Sequence, residues 1–555
     1  MSQLTIIPLG GMGNVTQNMF LYEYDDEIVI VDCGIGFPDM YMPGVDVLIP
    51  DISYLLKRLD AGKKIIGMVL SHGHDDHIAA LPYLLPGLPE FPIYGSPLTA
   101  GFAEQRMVDG GVQRSVRVID SNKPFKLSEN FTVQLMAVTH SVPDTRHVVL
   151  RTPEGIIYHG SDFKLDPNPV DGQVTDLEHI GQLADEKVLC MMVDCLRVEQ
   201  PEWVKSESTT GPVIDRIMAE TTGTFVITLM SSHIHRIQQT VNVAEKYGRK
   251  VAFIGRSVEQ NVDIATRLNR LHIPDGMLVD KRDLNDHQDS KLCLIVAGSQ
   301  GQEGSSLIRA IYGDHPVLRI KPTDTVVFSA DAIPGNEIPY FGAIDELSRN
   351  RVHVIYPDVE PGIHRSGHAS APEQQELVGL VKPRYVMPIG GADRHRVKFI
   401  ELVAKPLGLK EDQLILPESG EVIAFENGQV RSVEKIILRP PVVDGLGIGD
   451  VGPAVLSDRR ALSQAGMVVV VIPRFKRRFQ LDQLEIASRG FVFMKEAAEV
   501  VGFIKGVVAD TIKESSPKQD DETLIKQIER RLSRRLYKVI KREPLIVPVI
   551  LDLQQ

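Results

Sequence analysis

Four side chains of metal-ligand type leave one short segment. In MVLSHGHDDHIAALPYL (68–84), His72, His74, Asp76 and His77 fall within six residues, directly after an apolar run. Imidazole nitrogen and carboxylate oxygen are natural donors for Zn²⁺ and similar divalent ions. One loop cannot wrap a single ion with all four, so the spacing implies two ions or further ligands from elsewhere. His140 in VTHS and Asp162 in HGSDF stand at the ends of later apolar runs, and Asp32 in VDCG suits a carboxylate that orients a ligand or its loop. A lone histidine is most often a satisfied core residue, but that does not explain four such groups in six residues. A second constellation, HRSGH (364–368), sets His364, Arg365, Ser366, Gly367 and His368 side by side. Arginine and serine donate to phosphate oxygens, and glycine lets backbone N–H groups approach an anion. Taken alone, it is as readily a polar turn.

These groups need a rigid frame. LTIIPLGG, EIVIVDCG, IIGMVLSHGH, FTVQLMAVTH and GIIYHGSDF each rise as an apolar, β-branched run and end in Gly, His or Asp. Such strands fix loops at a sheet's rim, where α/β proteins place their chemistry. SPLTAGFAEQRMVDGG reads as an intervening helix. From about 209 helices and strands alternate: GPVIDRIMAETTG, TFVITLMSS, IHRIQQTVNVAEKYG, KVAFIG and SVEQNVDIATRLN, then KLCLIVAGSQGQ, DTVVFSADAIPGNE and RVHVIYPDVE. This rhythm favours a parallel sheet. QELVGLVKPRYVMPIGG is expected to return to strand and loop. A Pro- and Gly-rich stretch, 435–452, reads as a linker. Two strands, two helices and a last strand, LIVPVILDL, follow. The helix before that strand carries Lys526, Arg530, Arg531, Arg534, Arg535, Lys538, Lys541 and Arg542. A solvated face is the plain reading of this charge run, and a surface for RNA or a partner the sharper one.

The 555 residues exceed what one core supports, so several domains are expected. The net charge of −12 argues against non-specific nucleic-acid binding on average, but a local basic groove can coexist with an acidic exterior. Four cysteines without C-x-x-C spacing fit a reduced, cytosolic chain. The N-terminus has neither the basic nor the long apolar region of a signal peptide, and no apolar run reaches membrane-spanning length.

H-x-H-x-D-H with the later His and Asp resembles the metallo-β-lactamase superfamily. MSSHIHRIQQTVNVAEKYGRKVAFIGRS, GSQG, DTVVFSADAIPGNE and HRSGHAS resemble its β-CASP insert. With GDVGPAVLSDRR, SRGFVF and PLIVPVI, the likeness extends over essentially the whole chain to bacterial ribonuclease J. The resemblance implies an α/β fold: a metallo-β-lactamase αββα sandwich (1–208 and 367–440) interrupted by a β-CASP α/β domain (209–366). A linker (441–455) and a small α+β C-terminal domain (456–555) follow. It implies that His72, His74 and His140 hold one zinc, Asp76 and His77 a second, and that Asp162 bridges them. Asp76 would steer water and His368 act in proton transfer. His233, His235, His364, Arg365, Ser366, Gly367 and His368 would contact RNA phosphate, and Asp32 and Asp194 would support the ligands. Mn²⁺ or Mg²⁺ are alternative ions, and Ca²⁺ is a structural ion in some members, with Asp51 and Asp444 as participants here. The implied activity is 5′→3′ exonucleolysis of 5′-monophosphorylated RNA, with endonuclease activity, in cytoplasmic RNA processing and decay. Homodimers or homotetramers, or a hetero-oligomer with a paralogue, are the implied assemblies.

The chain departs from the family around the pocket. MPIGGADRH stands where M-P-[IV]-H-G-E-Y-R is usual, so Gly390 occupies the position of a second-zinc ligand. His395 aligns elsewhere, and Asp393 is the nearest replacement. GGMGNVTQN replaces G-G-x-G-E-I-G-x-N, DCLR (194–197) replaces D-S-T-N, and Gln302 stands for a usual Glu. These changes imply a weakened second site. They raise a competing expectation, a catalytically weak RNA-binding paralogue acting as the structural subunit of a ribonuclease J complex. A small-molecule hydrolase is a third expectation, disfavoured by the insert and by HRSGH.

Overall fold

The computed structural model describes residues 3–39, 41–333, 335–445, 447–491, 498–516 and 518–553. The chain divides into two units. The larger comprises Met1–Phe37 and Leu48–Pro441, the smaller Pro38–Val47 and Val442–Gln555.

The larger unit begins with two sheets stacked face to face. The first has eight strands in the order Gln429–Lys435, Glu421–Glu426, Leu4–Pro8, Phe20–Tyr24, Glu27–Val31, Lys64–Val69, Ile93–Gly95 and Val116–Val118. The second has six: Tyr385–Ile389, Val188–Asp194, Gly155–His159, Arg146–Thr152, Thr132–Ala137 and Phe125–Lys126. Period-2 alternation selects the inward side chains. Leu4 and Ile6, Phe20 and Tyr22, and Val29 and Val31 meet Val133 and Leu135, Val148 and Leu150, and Cys190 and Met192 in one buried core. The alternate residues of the second sheet, among them Val149, Tyr158, Met191 and Val193, form another core with Ile180, Leu377 and Phe399. Those three come from the helices Leu177–Glu186, Ala371–Val381 and Asp393–Phe399. The helix Pro97–Asp109 packs on the far strands of the first sheet. This is the expected αββα layering.

Between the two sheet-forming segments lies a five-stranded, fully parallel sheet in the order Lys250–Ile254, Leu292–Val296, Phe225–Thr228, Thr325–Phe328 and His353–Ile355. Helices Ile234–Lys246, Arg256–Arg267, Ser306–Ile311 and Glu337–Arg349 supply its crossovers, and Gly211–Glu220 leads into its first strand. In the smaller unit, strand Met467–Phe475 pairs with Arg478–Phe479 and Glu485–Arg489 antiparallel and with Leu545–Asp552 parallel. Helices Ala498–Glu514 and Asp521–Ile540 close its core through Val508, Ile528 and Leu532.

Three expectations change. QELVGLV is helical, within Ala371–Val381. A capping box between Ser370 and Glu373, with Pro372 in the first turn, starts that helix before its apolar positions act. The linker segment is ordered in part: it contains strands Val442–Asp444 and Gly447–Ile448 and the start of helix Pro453–Ala465. Strands Phe20–Tyr24 and Arg146–Thr152 carry polar residues on their second faces and escaped the search for apolar runs.

Leu532 is fully buried between the two C-terminal helices and their sheet. Leu532→Ala is expected to lower the stability of the smaller unit by about 2–5 kcal/mol, read as an earlier unfolding transition in a urea titration.

Candidate metal centre

Six strand ends build the site. Asp32 follows Glu27–Val31, Ser71 and His72 follow Lys64–Val69, His140 follows Thr132–Ala137, and Asp162 follows Gly155–His159. Asp194 ends its own strand, and Gly390 follows Tyr385–Ile389. The loop carrying His72 to His77 lies against Gly34, where an added Cβ would sit 1.6 Å from the Asp76 carbonyl oxygen. Only glycine lets the two backbones come so close.

Three ring nitrogens converge. His74 Nδ1 is 3.1 Å from His72 Nε2 and 3.2 Å from His140 Nε2. Asp162 Oδ2 lies 3.6 Å from His72 Nε2 and 3.7 Å from His140 Nε2. Four donors bound tetrahedrally to one zinc stand about 3.3 Å apart, so the observed set fits a divalent ion. Burial holds His72 and His140 well below the usual imidazole pKa and lowers His74 to about 3. The rings are therefore neutral and present lone pairs.

A second group, Asp76, His77 and Asp162, converges beside the first. His77 Nε2 is 3.7 Å from Asp76 Oδ2 and 3.6 Å from Asp162 Oδ2. Asn18 Nδ2 lies 3.1 Å from the same nitrogen. Burial alone would lower the His77 pKa; Asp162, Asp76 and Asp32 overcome it and raise it well above normal. Burial raises Asp76 to about 6. Asp162 is held well below the usual carboxylate range, because His77 and His368 outweigh its burial. A pocket that draws a proton onto His77 is one that favours positive charge. Three protein ligands with an open position suit a catalytic ion.

Hydrogen bonds fix these rings from behind. His77 Nδ1–H donates to Asp32 Oδ2 at 2.7 Å, and Asp32 also accepts from the Ser71 N–H and hydroxyl at 2.7 Å each. Asp32 adopts a left-handed backbone, φ 62°, unusual outside glycine and common near functional sites. His140 Nδ1–H donates to the Gly367 carbonyl at 2.7 Å. A Cβ at 367 would come within 2.9 Å of His140 and Ser141. The glycine of HRSGH thus serves a histidine through its carbonyl, whereas the sequence suggested an anion approached by N–H groups.

His368 Nδ1–H donates to Asp194 Oδ2 at 2.8 Å, and its Nε2 lies 3.9 Å from Asp162 Oδ2. Burial opposes protonation, but Asp194 and Asp162 raise its pKa to about 9. Asp162, Asp194 and His368 form a third convergent group. Gly390 has φ +66°, and a Cβ there would lie 3.5 Å from Asp194 Oδ1 and 3.9 Å from Asp162 Oδ1. A side chain at 390 would enter this cluster, and the glycine leaves it without a donor. Asp393, the nearest replacement, does not fill the gap, and neither does His395. Asp393 accepts from Arg396, and His395 Nδ1 accepts from the Ala392 N–H. Neither joins a convergent group among the described residues.

The remaining expected residues separate. Arg236 makes a bidentate pair with Glu207 at 2.8 and 2.7 Å and donates to His364 Nδ1 at 2.8 Å and to the Arg365 carbonyl at 3.2 Å. Arg365 itself donates to Thr209 Oγ1 and the Pro361 carbonyl, and Ser366 Oγ accepts from the His368 N–H. His233 is buried with both ring nitrogens lacking a hydrogen-bond partner among the described residues; its Nε2 is 3.5 Å from Glu207 Oε2. His235 turns to Asp171, 3.2 Å away. Asp51 accepts from the Ser53 and Arg439 N–H groups, and Asp444 pairs with Arg459. Neither belongs to a ligand cluster among the described residues. Sequence reasoning did not single out Asn18, Ser71, Ser141, Glu207 or Arg236. Asn18, Ser71, Ser141 and Arg236 lay inside quoted motifs. Glu207, a buried carboxylate in a polar segment, carried no signal.

The stacked sheets and the convergent His and Asp groups at their strand ends define a metallo-β-lactamase protein. The metallo-β-lactamase superfamily profile matches residues 12–181, the ribonuclease J β-CASP domain residues 222–347, and the ribonuclease J C-terminal domain residues 454–553. Ribonuclease J of Thermus thermophilus is 36% identical over 99% of this chain and 95% of its own length. Ribonuclease J 1 of Streptococcus pyogenes is 34% identical over 99% and 98%, and ribonuclease J2 of Bacillus subtilis 33% over 99% and 98%. The chain belongs to the ribonuclease J family: a metallo-β-lactamase domain, a β-CASP insertion and a ribonuclease J C-terminal domain. A crystal structure of an Enterococcus faecalis protein of unknown function has a TM-score of 0.53 at 16% identity, covering 76% of this chain and all of that one; it shares the fold.

Arg236 is buried, and Glu207 neutralises it. Arg236 and His233 hold the Glu207 carboxyl well below its ordinary value despite burial. Glu207→Gln is expected to cost about 3–5 kcal/mol in denaturant unfolding. The depressed carboxyl stabilises the fold above pH of about 4.5, and this stabilisation is lost as pH falls through its folded value. The variant should lack that part of the wild-type acid sensitivity.

Proposed function

We propose that the chain is a metal-dependent ribonuclease that hydrolyses RNA phosphodiesters, working 5′→3′ from 5′-monophosphorylated ends, with endonucleolytic cleavage as a second mode. The observation that carries this reading is the convergence of His72, His74 and His140 nitrogens with Asp162, next to Asp76 and His77. The printed names of the relatives supply the substrate class. His72, His74, His140 and Asp162 would hold the first ion, and Asp76, His77 and Asp162 the second. Zn²⁺ bound there, or Mn²⁺ or Mg²⁺ in its place, would lower the pKa of water and neutralise charge on phosphate oxygens.

The chain's own groups do the rest. Asp76 orients the attacking water and accepts its proton. His368, held by Asp194 through Nδ1, gives a proton from Nε2 to the leaving oxygen. Arg365 and Ser366, with His364, His233 and His235, line the path of the RNA phosphates, and Asp32 keeps His77 and the ligand loop in register. The β-CASP domain occupies 209–366 within a lactamase domain of 1–208 and 367–440, a linker covers 441–455, and the C-terminal domain covers 456–555. Work in cytoplasmic RNA processing and decay, as a homodimer or homotetramer or with a ribonuclease J paralogue, completes the reading. No helix among the described residues is long and apolar enough to cross a membrane.

Gly390 favours a second reading, in which the chain binds RNA as the structural subunit beside an active paralogue. Metal-counted protein, incubated with 5′-monophosphorylated RNA, separates the two. The first reading expects turnover in the wild type that His74→Ala abolishes. Turnover no higher than in His74→Ala, with RNA still bound, would select the second. Asp32→Asn is expected to weaken metal affinity by about 10- to 100-fold, read by competition with a chromogenic chelator. Gly390→His should tighten the second ion by a comparable factor, at a backbone cost of about 1–2 kcal/mol for the left-handed conformation.

A further inference from the structure

The basic run near the C-terminus occupies one face of helix Asp521–Ile540. Leu524, Ile528, Leu532 and Leu536 repeat every fourth residue and are buried. Lys526, Arg530, Arg534 and Lys538 repeat with the same spacing outside the core, with Arg531 and Arg535 beside them. Each four-residue step advances about 6 Å along the axis, so the charges form a row. These residues, with Thr523 and Gln527, border an open groove of about 640 Å³ that runs between their own side chains along one face of the helix. Lys526 pairs with Glu522, and Arg531 with Glu514. Arg530, Arg534, Arg535 and Lys538 have no ion-pair or hydrogen-bond partner among the described residues. Like charges four residues apart destabilise a helix by a few tenths of a kcal/mol each, about 0.2–0.5, so the row is not there for helix stability.

We propose that this groove binds the phosphate backbone of single-stranded RNA without reading its sequence. Four observations choose this occupant. The helix has spent its apolar stripe on the core, so it has no face to insert into a membrane. Arginine predominates, and its planar fork matches phosphate oxygens and stacks on bases. Tyr537, 48% exposed beside the groove with Lys541 Nζ 5.2 Å from its ring centroid, adds an aromatic surface at the edge of the cationic row. A chain with a net charge of −12 repels a polyanion on average, so a local cationic row is where one would settle. The inference rests on the reading that RNA is the substrate, but it needs neither cleavage nor a 5′ phosphate.

The test is a salt titration of full-length protein in EDTA, followed by fluorescence anisotropy of a labelled, 5′-hydroxyl single-stranded RNA. Arg530→Gln/Arg534→Gln/Lys538→Gln removes three charges. The slope of log affinity against log salt should fall in magnitude by about 2, at about 0.7 per phosphate contact, and affinity at low salt should drop at least about tenfold. Arg530→Lys/Arg534→Lys, which keeps the charges, should keep the slope. An unchanged slope and affinity in the triple variant overturns the proposal. So does an unchanged slope with altered mass in light scattering, which would make the face a contact between protein chains. Hydrolysis of a short 5′-monophosphorylated oligonucleotide, measured separately, should survive in the triple variant. Its absence from the wild type as well would defeat the ribonuclease reading and leave the groove result standing.

Discussion

The site depends on one carboxylate. Asp162 Oδ2 lies 3.6 to 3.9 Å from the Nε2 atoms of His72, His77, His140 and His368, and Asp162 belongs to all three convergent groups. Buried polar groups without partners are costly, and three ring nitrogens converging on one point cannot all pair with one another, whereas a cation between them would satisfy every lone pair. The fold can maintain the arrangement because the groups come from the ends of six strands whose other residues are locked in two apolar cores. The stability of the sandwich is thus what holds the ligands in place.

Orientation is settled one shell out. His77 is turned by Asp32, His140 by the Gly367 carbonyl, and His368 by Asp194. In each ring Nδ1 is occupied, so Nε2 faces inward. The Gly367 contact also couples the HRSGH segment to the first convergent group: the segment read from sequence as phosphate-binding supports His140 from its own backbone. Beneath it, the buried Glu207–Arg236 pair anchors His364 and Arg365. Gly390 marks the weak side of this otherwise closed design. It leaves Asp162 and Asp194 facing a space that a side chain at 390 would enter.

Much of this was legible in the sequence because the chemistry is local. His72 to His77 are crowded into one loop, and His140 and Asp162 end apolar runs, so ligand type and strand end could be read together. Layering was legible where strands alternate cleanly, as in Thr132–Ala137, and hidden where a strand such as Phe20–Tyr24 carries tyrosines on one face and Glu23 on the other. The helix Ala371–Val381 was hidden because its start is set by Ser370 and Glu373, not by periodicity. His233 and His235 look like a pair in sequence. His233 caps the helix from outside and His235 lies in its first turn, so one side chain goes toward Glu207 and the other toward Asp171. Glu207 could not be found by motif, since its partner Arg236 meets it only through the fold.

Both units draw on the same economy, in which an apolar stripe is spent inward and charge is left where a polyanion can reach it. The central claim remains that the His and Asp groups are an ion-binding cage. Anomalous X-ray scattering at the zinc edge from crystals grown with Zn²⁺ addresses it directly. The account predicts an anomalous peak within about 2.0–2.2 Å of His72 Nε2, His74 Nδ1, His140 Nε2 and an Asp162 oxygen. A map with no peak among those four atoms, or with the rings rotated so that Nε2 of His72 and His140 points away from Asp162, would contradict it.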